Sequence, residues 1–195
     1  GRQQEVAQLE GLTTTHRMVT VCGLGGVGKT RLVAHWVQRS GRTGSAHWVD
    51  LRAVAAGGVA ARVAEQMGLS PGGLTPEHQL DTIVAATSSL PMLVVFDNAD
   101  DVVTEVAAVV ATLTERLPQL TVVTTSRHAL GLPGERRLIL DPLAVEVDSG
   151  PGPAVQLAAA RLDPTGSAKQ AEHIARRTGG VPLLIELVAA RPELE

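Results

Sequence analysis

Residues 23–30 read Gly-Leu-Gly-Gly-Val-Gly-Lys-Thr, a complete match to the phosphate-loop pattern G-x-x-x-x-G-K-S/T. Each residue type has a part in that chemistry. Gly23, Gly25, Gly26 and Gly28, with Val27 among them, let backbone N–H groups turn inward and cradle a β-phosphate at a helix N-terminus. Lys29 would reach the β- and γ-phosphates, and the Thr30 hydroxyl would hold Mg²⁺. Arg31, next along, belongs to the same binding segment. A plain glycine-rich turn between a strand and a helix is the alternative. The apolar run at 18–22 and the helical pattern that follows Gly28 favour the nucleotide reading. So does the choice of cation: the chain has fifteen arginines and only two lysines, Lys29 and Lys169. A compact ammonium suits a phosphate oxygen better than a planar fork does.

A second cluster follows. Leu93-Val94-Val95-Phe96-Asp97 is an apolar strand ending in a carboxylate, the Walker B pattern. Asp97 at the end of such a strand can orient water on Mg²⁺ opposite Thr30. Asp100 is the candidate for positioning or deprotonating an attacking water, although Asp100 or Asp101 equally suits the N-cap of the next helix. Asn98 can orient water but cannot act as a carboxylate base. The stretch Thr124-Thr125-Ser126-Arg127 then ends another strand, where Arg127 could sense a γ-phosphate.

The elements that must position these groups alternate as in a parallel α/β sheet. Strands are predicted at 18–22, 47–51, 92–96, 121–125 and 137–140, the third and fourth apolar enough to be covered on both faces. Helices are predicted at 29–39, 59–67, 76–88 and 101–116, with Gly68 as a C-terminal cap and a loop at 70–75. The Pro/Gly cluster at 148–153 reads as a linker to three further helices at 154–162, 167–178 and 182–191. This divides the chain into a nucleotide-binding domain, 1–148, and a helical subdomain, 149–195.

At 195 residues and 44% apolar, the chain can bury one sizeable core. It shows no membrane-length apolar run and no signal-peptide pattern. The single cysteine, Cys22, excludes a disulfide framework within the chain and reads as a small buried hydrophobe. A cytoplasmic setting is expected. The net charge of −3 carries no electrostatic footprint for nucleic acid. The six histidines are dispersed without metal-ligand spacing, and Trp36 and Trp48 read as core aromatics. The last residues, Pro192-Glu193-Leu194-Glu195, together with a start directly at a motif, suggest a segment of a longer protein.

Taken in order, the phosphate loop, Phe96-Asp97-Asn98-Ala99-Asp100, Thr124-Thr125-Ser126-Arg127 and Gly179-Gly180-Val181-Pro182-Leu183 resemble the nucleotide-binding domain of STAND ATPases, the NB-ARC-like signalling switches. Within that class the sequence is most similar to bacterial transcription regulators of the SARP and LuxR-related type. These share a D-N-x-D/E after the Walker B strand and a T-S-R-x-x-L-G-L-x-G-E stretch, here residues 125–135. The resemblance covers nearly the whole chain. It implies that Gly1 and Arg2, with Glu5, lie beside the adenine and ribose, that Pro182 closes over the base, and that Arg127 is the sensor arginine. Asn98 departs from the Asp-Asp form of animal and plant relatives, which implies slow hydrolysis. The family's winged-helix, sensor and DNA-binding domains lie outside this sequence.

The resulting expectation is a regulatory switch that binds ATP or ADP with Mg²⁺, self-associates as the full-length protein in its ATP form, and touches neither membrane nor DNA through this segment. The competing reading is a free-standing P-loop ATPase or small-molecule kinase. Guanine recognition through Asn/Thr-Lys-x-Asp is excluded, because neither Lys29 nor Lys169 stands in that pattern.

Overall fold

The computed structural model describes residues 1–70, 72–73, 75–87, 91–148, 150–162 and 166–190. The predicted helix ends at Ser88 and Arg191, the linker residue Ser149, the loop residues Pro71 and Leu74, and the C-terminal residues 192–195 lie outside the described residues. The chain divides into two compact units. A sheet unit comprises Arg2–Cys22 and Lys29–Ile139; a helical unit comprises Gly1–Gly1, Gly23–Gly28 and Leu140–Glu195. The phosphate-loop segment thus groups with the C-terminal residues, and the change of unit falls at Leu140.

In the sheet unit, α1 (Gln3–Thr15) precedes β1 (Met18–Cys22), and α2 is Lys29–Arg39. There follow β2 (Ala46–Asp50), α3 (Val59–Gln66), α4 (Pro76–Thr87) and β3 (Met92–Asp97). The unit ends with α5 (Val103–Arg116), β4 (Leu120–Ser126) and β5 (Arg136–Ile139). The strands form one five-stranded sheet in the order β2-β3-β4-β1-β5, with every pairing parallel. This is the α/β architecture that the alternating apolar runs predict. β3 is buried at every position. Met92, Val94 and Phe96 join a core with α3, α4 and α5 around Val106, Val110, Leu113 and Ile83. Leu93 and Val95 point the opposite way along the pleat and are also buried, so both faces are covered.

The helix α1 is not among the predicted elements. It buries only Val6, Leu9 and Thr13, a stripe too thin and too polar for its periodicity to stand out. It packs against α2, β1 and β5. One of its anchors is polar: the Trp36 indole N–H donates to the Glu10 carboxylate. Trp36 is a fully buried core residue, whereas Trp48 is only half-buried. Gly68 takes the left-handed conformation past the end of α3, as its cap role requires.

The helical unit contains the short hairpin β6 (Glu146–Val147) and β7 (Gly150–Pro151), then α6 (Pro153–Arg161), α7 (Ala168–Arg177) and α8 (Pro182–Ala189). Residues 150–153, read as linker from composition, here form β7 and open α6. The three helices close around Ala154, Ala158, Ala171 and Ala175, whose small side chains permit close approach, and around Ile174 and Ile185. A capping box between Ser167 and Gln170 starts α7. After α7, Gly180 lies at φ 72°, and a Cβ there would sit 2.0 Å from the Leu143 carbonyl oxygen. Only glycine fits that turn, which Leu143 N–H secures by donating to the Gly180 carbonyl at 2.9 Å.

Phe96, 0% exposed, is the chain's only phenylalanine. Phe96→Ala should lower unfolding free energy by about 3–5 kcal/mol in urea denaturation, through lost burial and the cavity it leaves.

Candidate functional site

Parallel pairing decides which side chains meet. Cys22 is in register with Ser126, Phe96 with Thr124, and Asp50 with Asp97, so the C-terminal ends of β1 to β4 lie along one edge of the sheet. Ligands of open α/β sheets bind at that edge. Asp97, the last residue of β3, is 6% exposed. Its Oδ1 accepts two hydroxyl hydrogen bonds, from Thr30 Oγ1 at 2.7 Å and from Thr125 Oγ1 at 2.6 Å. The structure therefore brings together the first turn of α2 and the Walker B carboxylate.

Thr125 does more than donate. Its hydroxyl accepts the Asn98 main-chain N–H at 2.9 Å. Asn98 stands at φ 64°, a left-handed conformation that asparagine tolerates better than most residues do. That turn swings the chain into a single 3-10 turn at Ala99–Asp101. The N-cap of α5 is Val102, with no side-chain cap, so neither Asp100 nor Asp101 caps that helix. Asp100 Oδ1 reaches β4 instead, accepting from Ser126 Oγ at 3.0 Å and from the Arg127 main-chain N–H. Burial would raise the Asp100 pKa, but these bonds and the charges of Lys29 and Arg127 hold its carboxyl below the ordinary range. Burial also lowers the pKa of Lys29, against the opposing pull of Asp100. Burial raises that of the Cys22 thiol, as suits its role as a small core residue.

The loop itself has the backbone that its glycines predict. Gly26 and Gly28 lie at φ 76° and 101°, and a Cβ at Gly25 or Gly28 would meet nothing within 4 Å. Side chains there would stand in open space beside the backbone, which is the room a phosphate needs. Val27 N–H donates to the Leu24 carbonyl, closing the turn at 3.3 Å. Within the same unit, Leu183 N–H donates to the Gly26 carbonyl at 3.2 Å. This places the loop against the first turn of α8, whose N1 residue is Pro182. In the sheet unit, Thr30 and Asp97 are hard oxygen donors of the kind that Mg²⁺ takes, and in the other unit the open glycine backbone suits a polyphosphate. No group of three or more His, Cys, Asp or Glu suited to a metal occurs among the described residues.

At the N-terminus, Arg2 pairs with Glu5 at 2.7 Å as α1 begins. Gly1 lies against Pro153 at the start of α6. Arg31 is exposed on α2. The functions of Thr125 and Ser126 were hidden in the sequence. The run of hydroxyls at 124–126 was the only signal for them, because their partners lie on a different strand.

No protein-family model matches the chain. It is 34% identical over 194 residues to a Mycobacterium tuberculosis protein provisionally named an HTH-type transcriptional regulator, covering 94% of this chain and 21% of that protein. It is 32% identical over 206 residues to an uncharacterized protein of the same organism, covering 99% of this chain and 50% of that one. The chain therefore spans half the length or less of these relatives. Among solved structures it is similar to the Pyrococcus horikoshii Signal Transduction ATPase with Numerous Domains (STAND) protein with a tetratricopeptide repeat sensor. That match has a TM-score of 0.68 and 19% identity, over 97% of this chain and 29% of that one. It is likewise similar to a Walker-type ATPase of Pyrococcus abyssi, with a TM-score of 0.66 and 16% identity, over 95% and 65%. No helix among the described residues is long and apolar enough to cross a membrane.

Thr125→Val should cost about 1–3 kcal/mol in urea denaturation, because it leaves the buried Asp97 oxygen and the Asn98 N–H each short of a partner. Thr125→Ser, which keeps the hydroxyl, should lose less than half of that. The parallel sheet, the glycine loop leading out of β1 and the two structural neighbours together give the chain the α/β fold of the P-loop ATPases.

Proposed function

We propose that this chain is the ATP/ADP-binding switch module of a STAND-type signalling ATPase, in a bacterial transcription regulator of the SARP and LuxR-related kind. The observation that carries the reading is the convergence of the Thr30 and Thr125 hydroxyls on one oxygen of Asp97. With its proton directed at Asp97, the Thr30 hydroxyl keeps its lone pairs for a cation. Thr30 and Asp97 would hold Mg²⁺ between them, directly or through water. When bound, the ion neutralises phosphate charge.

The amides of Gly23, Gly25, Gly26, Val27 and Gly28 would receive the β-phosphate, with Lys29 and Arg31 supplying positive charge. Arg127 would read the γ-phosphate. Gly1, Arg2 and Pro182 are assigned to the adenosine end by the family resemblance. The bond from Leu183 N–H to the Gly26 carbonyl offers a route by which α8 feels the state of the loop. Slow hydrolysis, self-association of the full-length protein and a cytoplasmic setting belong to the same reading, with DNA contacted only by other domains. The regulator name of the mycobacterial relative and the STAND description of the Pyrococcus neighbour support it.

Calorimetry on the wild-type chain with Mg²⁺ should show binding of both ADP and ATP. Lys29→Ala should weaken it about 10- to 100-fold, the worth of a charge-assisted phosphate bond. Asp97→Asn should abolish most of the Mg²⁺ dependence while the chain stays folded. Absence of binding by wild type overturns the proposal, and phosphorylation of a metabolite at ordinary kinase rates would replace it with a transferase.

A further inference from the structure

Asp100 follows the Walker B strand where a carboxylate could take a proton from an attacking water. Its contacts suit a different task. Oδ1 accepts from Ser126 Oγ and from the Arg127 main-chain N–H, and it lies 3.4 Å from Arg127 Nε. Two hydrogen bonds converge on one oxygen, and the arginine whose main chain donates one of them also sets its guanidinium beside it as an ion pair. The Asp100 side chain is 14% exposed and that of Arg127 55%. The carboxylate is therefore fixed in the fold, and the guanidinium extends from it. The ion pair draws the Nε end of the guanidinium to the carboxylate, and the group carries two further nitrogens that can donate together as a fork. Among the described residues, Arg127 pairs with no other carboxylate. A carboxylate that already accepts two hydrogen bonds and faces a guanidinium is a weak proton acceptor at neutral pH.

We propose that Asp100 is a positioning residue that aims the Arg127 fork at the γ-phosphate position, and that it does not act as the base for water. This inference rests on the nucleotide-switch reading above. The part-buried anion also restrains the arginine through its own backbone, so the guanidinium loses less freedom on binding.

The test compares affinities for ADP and for a non-hydrolysable ATP analogue, with Mg²⁺, in wild type and four variants of the chain. Arg127→Ala should weaken analogue binding about tenfold more than ADP binding, the worth of one charge-assisted bond. Asp100→Ala should reproduce that selective loss, and the double variant should show no more than Arg127→Ala alone. Asp100→Asn, whose amide oxygen still accepts from Ser126 and from the Arg127 N–H, should recover most of the discrimination. A general loss of fold would lower both affinities together and would not be rescued in this way. If Asp100→Ala does not fold, Ser126→Ala removes one of the two hydrogen bonds to the carboxylate and should shift the ratio in the same direction.

A wild-type analogue-to-ADP ratio retained in Asp100→Ala, or in Ser126→Ala where that stands in, overturns the inference. So does a double variant whose loss is the product of the singles. Equal loss of hydrolysis in Asp100→Ala and Asp100→Asn with the ratio intact would restore the role of base. A wild type that binds neither nucleotide overturns the switch reading and this inference together. A preference that depends on Arg127 but not on Asp100 overturns this inference alone.

Discussion

One hydroxyl ties the sheet edge together. Thr125 donates to the Asp97 carboxylate and accepts from the Asn98 amide, so one side chain on β4 fixes both the end of β3 and the direction in which the chain leaves it. The left-handed turn at Asn98 follows from that anchor, and the 3-10 turn that carries Asp100 follows from the turn. Parallel register is the precondition. Because β3 and β4 pair with Phe96 opposite Thr124, the residues just beyond them face each other at hydrogen-bonding distance. A slip of two residues would keep every side chain on its proper face yet separate Thr125 from Asp97.

Polar groups sealed among apolar strands also explain why the edge is specific as well as stable. Asp97, Thr124, Thr125 and Ser126 are all buried, and a carboxylate at that depth requires hydrogen-bond donors. Thr30 and Thr125 supply them. The strands beneath, β3 above all, carry continuous Val and Leu and furnish a rigid platform with little local polarity of its own. The site is thus a polar rim set on an apolar sheet, and its side chains have few alternative partners.

Much of this was legible in the sequence. The helix at 29–39 begins and ends as its pattern indicates, since Lys29 follows the last loop glycine and Gly41 stops the run with φ 68°. The strands were legible because each is an apolar run between turn residues, and their ends shift by one residue at most. The helix α1 was not, because its buried stripe is three residues wide and includes a threonine. Nor was the hairpin of β6 and β7, whose Gly150 and Pro151 suit a turn as readily as a linker. The partnerships of Asp97, Asp100, Thr125 and Ser126 depend on pairing between distant strands, and no local pattern encodes that. That Asp100 turns to β4 and does not cap α5 likewise needed the position of Ser126.

The loop glycines are usually explained by the phosphate they leave room for. Gly26 has a second constraint, from the opposite side. A Cβ there would stand 2.7 Å from Leu183 Cβ, at the point where the first turn of α8 hydrogen-bonds to the loop. Lost nucleotide affinity in a variant at 26 would therefore mix two causes, a blocked phosphate seat and a displaced helix. Only glycine at 183 would remove the opposing Cβ, and the left-handed φ of 76° would still strain an alanine at 26. The two positions form a single fitted joint, in which the Cβ at 183 is itself what keeps position 26 a glycine.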